Sequence, residues 1–213
     1  MDKLIAIQVK EMILQVAGGI IRNEPELTTI DRKIGDGDHG IGMKRGFEAV
    51  KENLTDKTVS DVGNVFQKTG MALLTSMGGA SGVLFSSLFL GCFKKNKNKE
   101  YLTVTDFAEG LSQGLSDIKK KGGASVGDKT MIDSLEPAVQ SLKDNPTNDF
   151  EEALSKATKA AQKGVEETKE YVAKFGRAKN LGKRSLGYQD AGATSVYIIL
   201  NESLNYIRKE DEK

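Results

Sequence analysis

The sequence of 213 residues is poor in residues that bind soft metals or form cross-links, with one cysteine, Cys92, one histidine, His39, and no tryptophan. A disulfide framework needs more than one cysteine and is excluded. A structural zinc site, which usually takes four cysteine or histidine ligands, is not expected. A chain without disulfides suits a reducing compartment, and the sequence predicts a cytoplasmic protein.

An excess of charge is also missing, since 31 lysine and arginine residues face 30 aspartate and glutamate residues. The net charge of +1 provides no bulk field toward nucleic acid or an anionic membrane, and neither is expected as a partner. The N-terminal segment is interrupted by polar residues between Asp2 and Gln15, which fits neither a signal sequence nor a membrane span. Any bound anion therefore needs a local site.

The sequence has only three prolines, which leaves room for long helices. Helical periodicity of apolar residues is its main structural signal. Ile5, Val9, Met12, Val16 and Ile20 recur at three- and four-residue steps, the pattern of an amphipathic helix. Similar segments begin near His39, Val59, Ser81, Thr105, Thr130, Phe150 and Asp190. No run alternates like a strand. The sequence predicts an all-α bundle of about eight helices, with one domain over residues 1–213.

Glycine-rich segments precede alternate predicted helices. Helices two, four, six and eight follow GDGDHG at 35–40, GGASG at 78–82, GGASVGD at 122–128 and GYQDAGATS at 187–195. The odd-numbered helices three, five and seven follow ordinary capping signals, TVSD from Thr58, TVTD from Thr103 and NDFE from Asn148. If the helices run up and down, the four glycine-rich starts share one end of the bundle, here called the rim. Free N–H groups and helix dipoles make such a rim a phosphate site.

The repeated GGAS tetrapeptide has two interpretations. Glycine pairs let the backbone approach a ligand closely, but a left-handed glycine followed by a serine cap is also a common way to join two helices. The lysine-rich segment KKNKNK, residues 94–99, falls on the opposite end and is interpreted as a solvated loop.

Three carboxylates, Asp31, Asp36 and Asp38, crowd the segment before helix two. Two unit charges about 4 Å apart repel by about 4 kcal/mol at an effective dielectric constant of about 20, so the cluster needs a cation. Mg²⁺ prefers such oxygen ligands, and three carboxylates can hold two ions. The alternative is an exposed turn rich in aspartate and glycine. His39 can cap the helix, bind a phosphate or satisfy a polar neighbour.

Three familiar motifs fit the chain poorly. GDGDHG matches the dinucleotide fingerprint G-x-G-x-x-G, but its aspartates would face the pyrophosphate and no strand–helix alternation follows. An EF-hand loop starting at Asp36 would place Phe47 where a bidentate glutamate is needed. A Walker A motif ending near Lys183 fails because Arg184 and Arg177 occupy required positions.

Four segments together resemble the L-subunit family of dihydroxyacetone kinases: TTIDRKIGDGDHGIGMKRGF, GGASG, GGASVGDKTMIDSLEPA and GRAKNLGKRSLGYQDAGATS. The resemblance spans nearly the whole chain. It implies an eight-helix antiparallel up-and-down barrel that holds a nucleotide, ADP or ATP, and two Mg²⁺ ions at one end.

The resemblance also implies roles for individual residues. Asp31, Asp36 and Asp38 would be the metal ligands, and no residue is assigned a catalytic role. The implied nucleotide contacts are His39, Gly40, Ile41, Gly42, Ala80, Ser81, Gly122, Met131, Arg177, Asp190, Ala191 and Gly192. Gly42, Tyr188 and Ala191 depart from the family's frequent asparagine, histidine and proline, which puts those contacts in doubt.

The family works in two modes. In one, a free-standing L subunit keeps ADP as a cofactor, a phosphotransferase-system phosphocarrier rephosphorylates it, and a K subunit passes the phosphoryl group to dihydroxyacetone. In the other, the L domain uses exchangeable ATP. Because the helical barrel accounts for all 213 residues and leaves no room for a K domain, the carrier-dependent mode is expected. The alternatives are an ATP-using L subunit for dihydroxyacetone or a related sugar or polyol, and a nucleotide-loaded module that regulates a transcription factor or an enzyme.

Overall fold

Helices dominate the computed structural model, which describes residues 1–55 and 58–212. The α-helices are α1 (Ala6–Arg22), α2 (Glu24–Ile34), α3 (His39–Thr55), α4 (Val62–Ser76), α5 (Gly79–Asn96), α6 (Val104–Gly122), α7 (Ile132–Asp144), α8 (Phe150–Glu167) and α9 (Ala191–Asp211). Two short strands, β1 (Lys3–Ile5) and β2 (Tyr101–Thr103), pair antiparallel with Leu4 opposite Leu102. Two 3₁₀ helices, Thr168–Glu170 and Ala178–Ser185, lie between α8 and α9.

Eight helices form a closed ring. Along the chain, α1, α3, α4, α5, α6, α7, α8 and α9 each pack against the next, and α9 packs back against α1. Buried aromatic side chains fill the ring, among them Phe47, Phe66, Phe85 and Phe150. Burying one side chain of this size stabilises the folded state by about 1.5–3 kcal/mol relative to leaving it exposed. The predicted all-α fold is confirmed.

The structure corrects the prediction in two places. Helix α2 was not predicted: α1 ends at Asn23, whose backbone and side-chain N–H groups both donate to the carbonyl oxygen of Gly19. Pro25 then lies in the first turn of α2, where a missing N–H costs nothing. The short β1–β2 pair was not predicted either, because three residues are too few for a visible alternation.

Two of the three predicted caps shift along the chain. Thr103 caps α6 as predicted, and its side chain and Asp106 form a reciprocal capping box. Helix α4 is capped by Asp61 rather than Thr58, and α8 by Asp149 rather than Asn148. In both cases an aspartate carboxylate accepts from the backbone N–H three residues later.

The lysine-rich segment begins in the last turn of α5 and only its second half, residues 97–99, lies in the predicted loop, opposite the helix starts that carry the glycine-rich motifs. Lys94 there forms an ion pair of 2.7 Å with Asp117. Within residues 1–55 and 58–212, no helix is long and apolar enough to cross a membrane. The assignment of residues 1–213 to one domain stays a prediction, and residues 56, 57 and 213 lie outside the described residues.

Helices α5 and α6 approach each other through glycines. A Cβ atom built on Gly91 would lie 2.3 Å from the backbone nitrogen of Gly114, and one built on Gly114 would lie 2.7 Å from the carbonyl oxygen of Leu88. A backbone atom cannot move aside to make room for an added Cβ atom, whereas the end of a flexible side chain can. These glycines therefore set the α5–α6 separation on the wall of the ring.

Gly91→Ala is expected to lower the free energy of unfolding by about 1–3 kcal/mol, because the added methyl overpacks a backbone contact. Gly18→Ala is the matched control, since its Cβ would meet only the end of the Arg22 side chain. The control should change stability by about 1 kcal/mol or less, in the stabilising direction. Urea unfolding followed by circular dichroism measures both; equal effects would contradict the close α5–α6 contact.

Candidate metal and nucleotide site

The four glycine-rich helix starts meet at one end of the ring, which is the rim of the sequence analysis. His39 at the start of α3 lies 6.1 Å, centroid to centroid, from the ring of Phe85 on α5. The same histidine contacts Ser195 in the first turns of α9. A Cβ atom on Gly192 of α9 would lie 3.4 Å from Met131, which directly precedes α7. The contacts thus join α3 to α5 and α9, and α9 to α7.

The α2–α3 connection folds back on one carboxylate. Asp31 lies in the last turn of α2, and its Oδ2 atom accepts hydrogen bonds from the backbone N–H groups of Gly37 (2.8 Å) and His39 (3.3 Å). Gly37 has a φ of 78°, a left-handed conformation that favours glycine. The turn brings Asp36 and Asp38 beside Asp31.

These three aspartates form the acidic cluster. One carboxylate oxygen from each lies within 4.8 Å of the others, and Asp36 and Asp38 are exposed. Desolvation raises the pKa of Asp38 above its ordinary value, and the negative charges of Asp36 and Asp31 raise it further. The only ion pair that the structure describes for the cluster joins Arg177 Nε to Asp36 Oδ2 at 2.9 Å.

The acidic cluster fits a divalent cation such as Mg²⁺. Its donors are hard oxygens on a short stretch of chain, and Arg177 pairs with only one of the three carboxylates. Three carboxylates held this close repel one another, and a bound divalent cation would remove that repulsion. This observation favours the metal interpretation over the turn.

His39 satisfies a buried neighbour. Its Nε2 lies 2.8 Å from Ser195 Oγ, and the Ser195 hydroxyl donates to the carbonyl oxygen of Ala191. Ser195 therefore links the His39 ring to the backbone of the first turn of α9. Burial lowers the pKa of His39, so the ring is neutral near pH 7 even though the charge of Asp31 opposes the shift.

The first GGAS copy opens directly into α5. Gly78 and Gly79 have φ values of 72° and 61°, and Ala80 and Ser81 occupy the first turn. The amides of a first helical turn have no acceptor within the helix and are available to an anion. Arg45 of α3 donates to the carbonyl oxygen of Met77 and fixes this turn against the start of α3.

The second GGAS copy has a different local structure. Gly122 is the last residue of α6, and Gly123, with a φ of 74°, is its left-handed cap. The Ser125 N–H donates to Asp128, and α7 begins only at Ile132. This copy therefore matches the capping interpretation, whereas the first copy begins a helix.

The start of α9 closes the rim. Asp190 caps the helix by accepting from the Ala193 N–H at 2.7 Å. Desolvation raises the pKa of Asp190 to about 7, and the charge of Asp133 adds to the shift. Ala191 is buried, and Gly192 faces Met131 across the α7–α9 contact.

The remaining predicted residues lie in the first turn of α3. A Cβ atom on Gly40 would lie 2.3 Å from Thr28 Oγ1 and 2.5 Å from the carbonyl oxygen of Glu24, so this glycine is needed for α2–α3 packing whatever its role in binding. Ile41 is 53% exposed. No heavy atom of a neighbouring residue lies within 4 Å of a Cβ built on Gly42, which leaves open space where the family frequently has asparagine.

Sequence reasoning missed four residues that shape the rim. Ser195 and Arg45 lie inside the segments GATS and MKRGF that the sequence analysis quotes. Each lies one or two helical turns after a helix start, and this spacing could have identified both residues. Asp133 is buried and accepts from the N–H groups of Gly127 and Thr130. Lys129 is buried as well, and its hydrogen-bond partners are backbone carbonyl groups. A pattern of side chains in the sequence cannot identify such partners.

Comparison with known proteins places the chain in a family. Residues 33–205 match the DAK2 domain. The ADP-binding subunit of the PEP-dependent dihydroxyacetone kinase of Escherichia coli K12 is 39% identical over 186 residues, which cover 86% of this chain and 89% of that subunit. The ADP-binding subunit of the PTS-dependent dihydroxyacetone kinase of Lactococcus lactis is 36% identical over 188 residues, covering 88% and 91%.

A solved structure agrees with this relationship. The dihydroxyacetone kinase of C. freundii in complex with AMP-PNP and Mg²⁺ superimposes with a TM-score of 0.73 at 30% identity. The match covers 92% of this chain and 33% of that chain. By the extent of the domain match and by these identities, the chain belongs to the DAK2 domain family, together with the ADP-binding subunits of dihydroxyacetone kinases.

Proposed function

We propose that this chain is the ADP-binding L subunit of a dihydroxyacetone kinase. It relays a phosphoryl group from a phosphotransferase-system carrier, through Mg²⁺-bound ADP and ATP, to dihydroxyacetone held on a separate K subunit. The observation that carries the proposal is the acidic cluster, which lies beside the open first turns of α3 and α5. A nucleoside diphosphate and metal would supply there the phosphate that accepts and passes on the phosphoryl group.

The comparisons support the carrier-dependent mode. The relatives from E. coli and L. lactis are named ADP-binding subunits of PEP-dependent and PTS-dependent kinases, and each aligns with this chain over most of its own length. The C. freundii kinase, crystallised with AMP-PNP and Mg²⁺, supports a nucleotide and magnesium as the ligands of this chain.

The roles of the residues follow from charge and position. Asp31, Asp36 and Asp38 would hold two Mg²⁺ ions, and the amides of Ala80 and Ser81 would bind phosphate oxygens. Carboxylates on one side and helix N-termini on the other neutralise both the metal and the phosphates, which is the main task of a protein in phosphoryl transfer.

The remaining nucleotide contacts lie around this centre. The start of α9, with Asp190, Ala191 and Gly192, and the α6–α7 connection, with Gly122 and Met131, would surround the rest of the nucleotide. Arg177 would leave Asp36 for a phosphate or remain beside it once a cation is bound.

The second candidate is an L domain that uses exchangeable ATP. The specific observation in its favour is the C. freundii kinase, which was crystallised with an ATP analogue and of which this chain matches one third. The metal and phosphate groups would be the same in both candidates. Only the lifetime of the bound nucleotide and the source of the phosphoryl group differ.

Asp36→Asn and Asp38→Asn are each expected to weaken Mg²⁺ and ADP binding together, because loss of a carboxylate ligand leaves the phosphates less well neutralised. The expected loss is about tenfold or more for each ligand, the scale of a charged hydrogen-bonding contact. Isothermal titration with Mg²⁺ and ADP measures it. Asp144→Asn, an exposed carboxylate at the far end of α7, is the control and should bind as the unmodified protein does.

Unchanged ADP affinity in both cluster variants would show that the acidic cluster is an ordinary turn. Loss of Mg²⁺ binding with retained ADP affinity would also contradict the proposal, because the two ligands would then occupy independent sites.

The purified protein is expected to keep ADP through dialysis and to transfer phosphate to dihydroxyacetone only with both a K subunit and a phosphorylated carrier. Tight binding should also stabilise the fold: a ligand at about a thousand times its dissociation constant contributes about 4 kcal/mol. Removing ADP and Mg²⁺ should therefore lower the melting temperature. Mass spectrometry of the released nucleotide, a coupled transfer assay and a thermal melt measure the three results.

Two other outcomes would replace this proposal. Rapid exchange of bound nucleotide with free ATP, and turnover with ATP and a K subunit alone, would establish the ATP-using mode. Stable ADP binding without any transfer would favour a regulatory module.

A further inference from the structure

Lys129 is a charged residue that the proposed site does not use. It is 2% exposed, and its Nζ atom donates hydrogen bonds to two backbone carbonyl oxygens, those of Thr168 (2.5 Å) and Tyr188. Its φ of 60° lies in the left-handed region, where a side chain is disfavoured relative to glycine.

Two features of Lys129, its buried charge and its left-handed backbone, raise the free energy of the folded state. An ammonium group removed from water carries a desolvation penalty that only well-placed partners offset. Desolvation accordingly lowers the pKa of Lys129, and the nearby charges of Asp190, Asp133 and Glu170 oppose that shift. A residue that combines a buried charge with left-handed backbone is seldom explained by packing alone.

The two carbonyls mark the two ends of one segment. Residues 168–190, here called the strap, connect α8 to α9 and contain both 3₁₀ helices. Near its middle the strap presents Arg177 to the acidic cluster, and at its end Asp190 caps α9. One ammonium group therefore ties both ends of the strap to the α6–α7 connection, two residues before Met131.

We infer that Lys129 is a positioning residue that holds the strap closed over the nucleotide end of the ring. It acts through the backbone of the strap and touches neither the acidic cluster nor the open turn of α5. Without its two hydrogen bonds, the strap would open and take Arg177 away from the site. The effect on nucleotide binding rests on the proposed function, whereas the effect on the strap itself does not.

A second lysine provides a matched control. Lys174, within the strap, pairs with Asp128 at 2.7 Å, next to Lys129 in sequence, but the Lys174 side chain is 64% exposed. Exposed ion pairs contribute little because solvent screens them. Lys174→Met should therefore change the strap far less than Lys129→Met, although both variants remove one lysine that joins the same two segments.

Trypsin measures the opening of the strap directly, since Arg177, Lys179, Lys183 and Arg184 are exposed cleavage sites that all three proteins share. In protein freed of nucleotide, we expect Lys129→Met to raise cleavage at these sites by about tenfold or more, the scale of two charge-assisted hydrogen bonds. Cleavage elsewhere should not change. Mg²⁺ binding without nucleotide should be retained or become tighter, because the three carboxylates are untouched and Arg177 no longer competes for Asp36.

Nucleotide binding supplies the second measurement. ADP affinity in the presence of Mg²⁺ should fall about tenfold or more in Lys129→Met, and saturating ADP with Mg²⁺ should restore protection of the strap. If the unmodified protein does not bind ADP, the proposed function fails, and the cleavage experiment without nucleotide still decides the role of Lys129.

Several results would overturn the inference. Equal cleavage in Lys129→Met and Lys174→Met, or increased cleavage along the whole chain, would make Lys129 a general structural residue. If Lys129→Met does not fold, Lys129→Gln, which keeps one donating amide, is tested in the same way. Failure of both variants to fold would assign Lys129 to the fold as a whole.

Discussion

Mutual repulsion among Asp31, Asp36 and Asp38 is the constraint on which the site depends. The α2–α3 connection holds their oxygens within 4.8 Å, and this proximity adds to the desolvation that raises the pKa of Asp38. Arg177 supplies one compensating positive charge for the three carboxylates. In the proposed function, a divalent cation would offset the remainder and would attract phosphates toward the α3 and α5 helix starts.

The ring architecture brings these groups together. Because neighbouring helices alternate in direction, α3, α5, α7 and α9 all begin at one end, and each contributes a different element. The α5 start has no side-chain cap, whereas Asp190 caps α9 and Asp133 accepts N–H groups from the connection that precedes α7. In the proposed function, the uncapped half of the rim would bind phosphate and the capped half would shape the walls around it.

Much of this could be predicted from the sequence, because the signals are local. The acidic cluster lies within eight residues, and the glycine-rich segments mark the helix starts directly. Helix α2 escaped prediction because Pro25 and the β-branched pair Thr28 and Thr29 weaken its helical signal. Lys129 escaped for another reason: its partners are carbonyl groups 39 and 59 residues away, which no side-chain pattern identifies.

The central claim is that the acidic cluster binds metal and nucleotide as one unit. A crystal structure of the protein grown with ADP and Mn²⁺, with anomalous diffraction recorded for the manganese, tests it most directly. The account predicts anomalous peaks between Asp31, Asp36 and Asp38, with the ADP phosphates reaching from the metal to the first turn of α5. Manganese bound elsewhere, or ADP bound away from an empty cluster, would contradict it.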